Sequence, residues 1–510
     1  MSKKQEEWIH LAQEYVVSFF PNMGLVNSIT NGVKVSTGRN LKFLAQKYEN
    51  NSCRYLIKKS DWEATSRPFA EKLLADPSKF KVIEKNLVKS LNDLLKYSYE
   101  VNKKSLSKLS NRKLFNLYNN FLIKNKFVYD WGLALPLLDY QETTYISDAL
   151  SNYLKNELTE EDFTEYFTTL TTTPKRTAGR EEEINLLKII SKINKYKKIL
   201  NLFKNNSEDE IISELPKINK RIFNVLLSHT KKYSYTTYVY EGPSMEITDF
   251  VIMVKEFLSQ GKNSDHKIKQ ILKSEKDLVK KQKTYLNKIK PSPYYKKMIK
   301  LSQDVSFLKF WRREQQSHCY CLLDSLIKEM AKRLDISPKQ FRFMLPEEVE
   351  QSLVSNKKVE EAKINQRIKL SILVRENGSK VKLLTGKETL KVTNNFTEEK
   401  IDYTLKELKG QTACPGKVKG KVTIVNTPDD IANMKEGDIL VSFATNPNLM
   451  PAIRKASAII TDEGGLTCHA AIVSRELNIP CVVGLKIITK LVKNNDLVEV
   501  DATKGIIKIL

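Results

Sequence analysis

"TDEGGLTCHAAIVSRELNIPCVVG", residues 461–484, sets two adjacent glycines, one of the chain's five histidines and a run of small apolar residues within a few turns. The strand-like "SAIIT" (457–461) delivers the chain to Gly464-Gly465, and a helix is expected to begin near Leu466 or Thr467. Free N–H groups at a helix N-terminus, preceded by glycines that permit close approach, form an anion site. Thr467 can cap the helix and offer its hydroxyl. His469 falls in the first turn, where the helix dipole disfavours the imidazolium and leaves a neutral, nucleophilic nitrogen. A nucleophile that starts neutral and becomes anionic suits such a place, so the pattern points to a histidine that takes and gives a phosphoryl group. The plainer alternative is a partly exposed structural histidine. Cys468, Cys414 and Cys481 lack CxxC or HxxxH spacing, so they are expected to pack as small apolar residues, with no metal site.

Around this stretch, residues 411–510 alternate strand and short helix. "KVKGKVTIVN" (417–426), "GDILVSF" (437–443), "ASAIITD" (456–462) and "PCVVG" (480–484) read as strands, "NLMPAIRKA" (448–456) as a helix, and "DLVEVDATKGIIKIL" (496–510) as a closing hairpin around Gly505. Upstream, residues 61–405 are mainly helical and are expected to bind a substrate or partner. Ile83, Leu87, Leu91 and Leu95 form one apolar stripe; Leu323, Ile327, Met330 and Leu334 form another. Ser337-Pro338 with Gln340, and Thr159 before Glu160, are cap signals. "KLSILVRENGSKVKLLTG" (369–386) alternates about Asn377-Gly378 as a hairpin. Residues 1–60 read as a mixed α/β segment, with "YVVSFF" (15–20), "GVKVST" (32–37) and "CRYLIKK" (53–59) as strands. The expected class is multidomain α + α/β: a mostly helical N-terminal region, then a compact C-terminal α/β domain of roughly a hundred residues.

The formal charge is +25, and it is unevenly placed. Residues 411–510 hold 12 basic and 10 acidic residues, leaving 73 and 50 for the first 410. The excess favours anionic ligands, although solvated lysines on helices need no partner. The six cysteines show no framework spacing, which predicts reduced thiols and a cytoplasmic location. No eighteen-residue apolar run occurs and the first residues lack an apolar core, so neither membrane insertion nor export is expected.

Residues 461–484 closely resemble the phosphohistidine signature of the swivelling domain in phosphoenolpyruvate (PEP)-utilising enzymes, such as PEP synthase, pyruvate phosphate dikinase and the rifampicin phosphotransferases. The resemblance starts at "ACPGKVKGKV" (413–422), runs through 437–461 and ends at "VDATKGIIKIL" (500–510). It implies that His469 is the phosphorylated residue and that Gly464, Gly465 and Thr467 hold the phosphoryl group. Arg475 and Glu476 match an arginine–glutamate pair with a supporting role. Cys468 stands where serine is usual, and Leu485 where threonine is often found.

In such relatives the domain swings between an ATP-grasp site and a second site where the acceptor is phosphorylated. The first 410 residues contain no glycine-rich phosphate loop, short of a cryptic kinase site in 1–60, and a PEP-binding barrel is not expected after His469. The order of parts resembles the rear of a rifampicin-phosphotransferase-type enzyme, whose helical domain binds the acceptor. On that analogy Arg312, Arg313, His318 and His229 are candidate acceptor-site residues. Arg312 and Arg313 follow Trp311, and His229 opens "SHTKKYSYTTYVYEGPS" (228–244), rich in lysine and tyrosine. The expected function is a phosphotransferase component carrying phosphate on His469. Its ATP and Mg²⁺ would come through an ATP-grasp-type kinase subunit, or its phosphate from a PEP-binding protein, and its acceptor would be an anionic small molecule. A scaffold protein keeping the domain as a binding module is the alternative. Nucleic-acid binding rests on charge and tyrosines alone and is not expected.

Overall fold

Helical periodicity becomes packing throughout the first part of the computed structural model, which describes residues 8–139, 143–393, 401–466 and 468–510. In helix Phe80–Asn102 the predicted stripe is buried at Ile83, Leu87 and Leu91, with Leu94 rather than Leu95 completing it. That face packs against helix Asn111–Gly132 and against a 41-residue helix, Pro293–Arg333. Ser292 caps the long helix and Pro293 pre-sets its first turn. At 1.5 Å per residue it runs about 60 Å through the body. It buries residues on every face, including Leu301, Val305, Tyr320 and Leu323. A second helical group, Ala178–Asn194, Lys197–Asn205, Glu208–Tyr233 and Ile247–Ser259, has its own core of Ile190, Ile193, Phe203, Leu215 and Phe250.

The first sixty residues differ from the sequence reading. "YVVSFF" and "GVKVST" are not strands: Phe19–Ile29 is a helix with nine of its eleven residues buried, and Lys34–Thr37 is a single helical turn. The run from Phe19, buried nearly all round, carries no period, so strand and helix are indistinguishable in it, whereas the turn Lys34–Thr37 has no buried residue. The strands are β1 (Trp8–Tyr15), β2 (Phe43–Glu49) and β3 (Ser52–Lys58). They join β4 (Leu370–Glu376) and β5 (Lys382–Thr385), the hairpin around Asn377-Gly378, in a five-stranded antiparallel sheet of order β1-β3-β2-β4-β5. The chain's first strands and a hairpin more than 300 residues later thus form one sheet beside the helices.

The last hundred residues form a separate sheet. β6 (Glu407–Lys409), β7 (Gln411–Cys414), β8 (Lys417–Ile424), β9 (Ile439–Ser442), β10 (Ala458–Thr461), β11 (Cys481–Val483), β12 (Leu497–Asp501) and β13 (Ile506–Ile509) lie in the order β6-β13-β12-β8-β9-β10-β11-β7. Its centre, β8-β9-β10-β11, is parallel. β9 and β10 are buried at every residue, as parallel strands covered on both faces must be. Ala452, Ile453, Ala470 and Val473 cover one face; Leu485, Ile488, Val498 and Ile507 cover the other. The chain is a multidomain α + α/β protein, a mainly helical body followed by a small sheet domain. Among the described residues no helix is long and apolar enough to cross a membrane.

Candidate functional site

Adjacent parallel strands end side by side, and the loops leaving their carboxyl ends form the usual binding edge of an α/β sheet. Ser442 of β9 pairs with Thr461 of β10. Thr445 lies three residues beyond the first, and the double glycine leads from the second to helix His469–Leu477. The helix starts slightly later than predicted. Its N-cap is Cys468, whose sulfur accepts the Ala471 N–H at 3.5 Å, and His469 is the first helical residue. Thr467 lies outside the described residues. Gly464 has φ +117, and a Cβ there would stand 2.7 Å from the Cys468 sulfur, so the turn requires glycine. Beside Gly465 the nearest atom, Gln411 Oε1, is 3.8 Å from a built Cβ, which leaves that backbone open.

His469 is buried, and its ring lies 5.2 Å from that of Phe310 at an interplanar angle of 24°. Nδ1 is 2.8 Å from the Thr445 hydroxyl, while Nε2 is buried with no hydrogen-bond partner. Burial, with a smaller contribution from the Arg313 guanidinium, pushes the imidazole pKa down to about 3. The ring is therefore neutral at physiological pH. Where the Thr445 hydroxyl accepts the Nδ1 proton, the lone pair resides on Nε2.

His469 lines a cavity of about 210 Å³ built from both parts of the chain. The long helix supplies Lys309, Phe310, Arg312 and Arg313; β1 supplies Glu14 and Tyr15; the sheet domain adds Thr445, Glu463, Gly464 and Cys468. Arg313 pairs with Glu14 at 2.5 Å and stacks over Tyr240; Arg312 donates to Gln316 at 2.7 Å and lies over Tyr129. Room for Arg312 depends on Gly132, where a Cβ would sit 2.4 Å from its Cδ. The Nε atoms of both arginines are buried without a hydrogen-bond partner. Lys309 donates to the Asp139 carbonyl oxygen, and burial pulls its ammonium down to about 8.

Two of the four candidate acceptor residues, Arg312 and Arg313, therefore share the cavity with His469. His318 and His229 do not. His318 is stacked on Tyr235 at 3.9 Å and bonded to the Tyr99 hydroxyl at 3.2 Å, its pKa pushed down to about 4 by burial. His229 pairs with Glu182 at 3.1 Å between Tyr233 and Phe250, away from the cavity lining. Both were read from their place near unusual sequence, and both turn out to pack in helix interfaces.

The Arg475–Glu476 pair divides its work. Arg475 Nε donates to the Ala413 carbonyl at 2.7 Å, fixing the histidine helix to β7. Glu476 faces the helical body: its carboxylate accepts from Thr177 at 3.2 Å and its backbone carbonyl from Arg180. Burial pushes the Glu476 carboxyl up to about 7. Arg454 to Glu182 at 3.3 Å and His10 to Glu463 at 3.0 Å are further contacts between the parts. Thr445, Phe310, Lys309 and Glu14 escaped the sequence reading, since no motif marks them. Tyr240 alone carried a signal, as the last tyrosine of 228–244.

Residues 434–505 match the family model described as PEP-utilising enzyme, mobile domain, and the C-terminal domain is a domain of that family. Over 183 residues the chain is 39% identical to a probable phosphoenolpyruvate synthase of Pyrococcus horikoshii, covering 34% of this chain and 22% of that protein. Over 100 residues it is 53% identical to a probable phosphoenolpyruvate synthase of Archaeoglobus fulgidus and 54% identical to the phosphoenolpyruvate synthase of Pyrococcus furiosus. Each of these covers 20% of this chain, with 13% and 12% of the respective relative. The matches thus span 22% or less of these relatives' own lengths. Aconitase X of Thermococcus kodakaraensis, in its holo form, aligns at 23% identity over 20% of this chain and 98% of its own, with a TM-score of 0.17, too low to carry a structural likeness.

Proposed function

We propose that this chain is a phosphotransferase component that carries a phosphoryl group on His469 between a donor site on a partner and an acceptor in the cavity. The observation that carries the reading is the neutral, buried His469 with Nε2 unpartnered beside two arginine Nε–H groups that also lack partners. In the first half-reaction the Nε2 lone pair bonds to the donor's phosphorus, and the phosphorus–oxygen bond to the leaving group breaks with its electron pair. In the second, an acceptor oxygen bonds to phosphorus and the electron pair of the broken N–P bond returns to Nε2. Arg312 and Arg313 offer N–H groups to the phosphoryl oxygens in transit. The Gly464-Gly465 turn, with Thr467, offers its backbone to the same group.

The donor, ATP with Mg²⁺ or PEP, is held in this reading by a separate kinase or PEP-binding subunit. With the cavity closed over His469 by the helical body, loading requires the sheet domain to leave. Its polar ties to the body, through Glu463, Glu476 and Arg454, are few enough to break and re-form. Incubating the chain with labelled ATP and Mg²⁺, or labelled PEP, and a soluble extract of the source cells tests the reading. Acid-labile, alkali-stable label on the chain, absent from His469→Ala, is expected; label retained by that variant, or none on either, overturns it.

A further inference from the structure

The two arginines of the cavity are held in opposite ways. Arg313 pairs with a carboxylate, Glu14, at 2.5 Å, whereas among the described residues the hydrogen-bond partner of Arg312 is an amide, Gln316, at 2.7 Å. Gln316 takes one of the several N–H groups of Arg312 and cancels none of its charge. Behind Gln316 the hydrogen bonds continue in one direction. Gln316 Nε2 donates to Asn125 Oδ1 at 2.8 Å, Asn125 Nδ2 donates to the Tyr320 hydroxyl at 3.0 Å, and that hydroxyl donates to the Pro21 carbonyl at 3.1 Å. Both ends dictate this direction. A guanidinium can only donate and a carbonyl can only accept, so each amide must turn its oxygen toward Arg312 and its nitrogen toward Pro21. Gln316, Asn125 and Tyr320 are buried, and none of their side-chain nitrogen or oxygen atoms lacks a partner. Buried amides between helices destabilise unless they are satisfied in this way.

Two facing stripes build the relay. Arg312, Gln316 and Tyr320 recur every fourth residue on the long helix, and Asn125, Tyr129 and Gly132 share one face of helix Asn111–Gly132. Tyr129 lies 5.4 Å from the Arg312 guanidinium, and Gly132 leaves room for the stem of that side chain. On the far side Gly24 lets helix Phe19–Ile29 close on the relay, since a Cβ there would stand 2.8 Å from Asn125 Nδ2. The result is an arginine fixed in the cavity that His469 also lines, with its charge intact and its Nε buried without a hydrogen-bond partner.

We propose that Gln316, Asn125 and Tyr320 are positioning residues that hold Arg312 as an uncompensated cation, and that Arg312 anchors a site for a phosphate-sized oxyanion in the cavity. The neutrality of Gln316 is what matters. A carboxylate in its place would hold the guanidinium equally well and cancel the charge that an oxyanion needs. Arg313, already paired with Glu14, adds N–H groups but little net charge. That the oxyanion is the phosphoryl group brought by His469 rests on the phosphoryl-carrier reading; the site itself does not.

The test uses the full chain with inorganic phosphate as the probe and no phosphoryl donor. Calorimetric titration is expected to show phosphate binding that weakens about tenfold or more in Gln316→Glu, which keeps the acceptor oxygen and adds a negative charge. Tyr320→Phe, which keeps the ring and breaks the relay two steps from Arg312, is expected to weaken it about threefold or more. Melting curves report whether each variant folds. A relay with a structural role alone would lower the melting temperature and leave phosphate affinity unchanged. No phosphate binding by the parent chain, or an unchanged affinity in either variant once folded, overturns the proposal. None of these titrations labels His469. A chain that takes label on His469 yet binds no phosphate, or the reverse, therefore fails one claim and spares the other.

Discussion

Thr445 and His469, twenty-four residues apart, meet at 2.8 Å because β9 and β10 are parallel neighbours that end together. The contact occupies Nδ1 and leaves Nε2 for chemistry. Thr445→Val keeps the shape but leaves a buried Nδ1 without a partner, a cost of about 1–3 kcal/mol. Phosphoryl loading of His469 is expected to slow by about tenfold as the ring loses its fixed tautomer, with Thr445→Ser restoring most of it. Loading kinetics and melting curves of the two variants check this; an unchanged rate in Thr445→Val sinks it.

The depressed imidazole pKa gives a second prediction. A base whose folded pKa is lowered stays neutral as pH falls, so His469 is expected to remain uncharged from pH 8 to pH 5 and to protonate only near pH 3. An ordinary histidine would be roughly 97% charged at pH 5. Ring-proton shifts followed by NMR, assigned with His469→Ala, read this directly, and a midpoint above pH 6 contradicts it.

Glu476 supplies a dependence of the opposite kind. Its carboxyl is raised to about 7 by burial against the helical body, lowered in part by Arg180 and Thr177 and raised further by Glu183 and Glu275. A carboxyl raised in the folded state stabilises fully below its unfolded pKa of 4.5, and that stabilisation is lost as pH rises through about 7. Glu314 beside it is shifted in the same direction by the same cause. The melting temperature is expected to fall between pH 5 and pH 8, and Glu476→Gln to flatten that fall while raising stability at pH 8. A slope unaltered by the substitution contradicts the assignment.

Gly464→Ala places a Cβ at φ +117 and 2.7 Å from the Cys468 sulfur. The backbone alone costs about 1–2 kcal/mol, and the collision displaces the cap of the histidine helix. Loss of phosphoryl loading beyond what the lowered melting temperature explains is expected. Normal loading at a temperature where the variant is folded rules out a role for this turn.

How much of this was legible in the sequence follows from where each signal lives. The periods of 79–99 and 321–334 became buried stripes because one face of each helix meets the core. The double glycine, the helix start and His469 were readable because the turn chemistry is local. The helices at 19–29 and 34–37 were not: the first is buried on nearly all sides and has no period to read, and the second is a single turn with no buried residue. The cavity was least legible. Glu14, Tyr240, Lys309 and Thr445 come from distant parts of the chain and meet only because β1 joins a sheet with the hairpin at 370–385 and the long helix passes beneath the sheet domain. His229 and His318, conspicuous in sequence, lie outside that lining, against Glu182 and Tyr235.

The central claim is that Nε2 of His469 carries the phosphoryl group. Phosphorus NMR on the loaded chain, combined with tandem mass spectrometry at neutral pH, separates Nε2- from Nδ1-phosphohistidine and distinguishes His469 from the other four histidines. The account predicts one Nε2-phosphohistidine resonance, lost in His469→Ala. An Nδ1 isomer, or phosphate on another histidine, contradicts it.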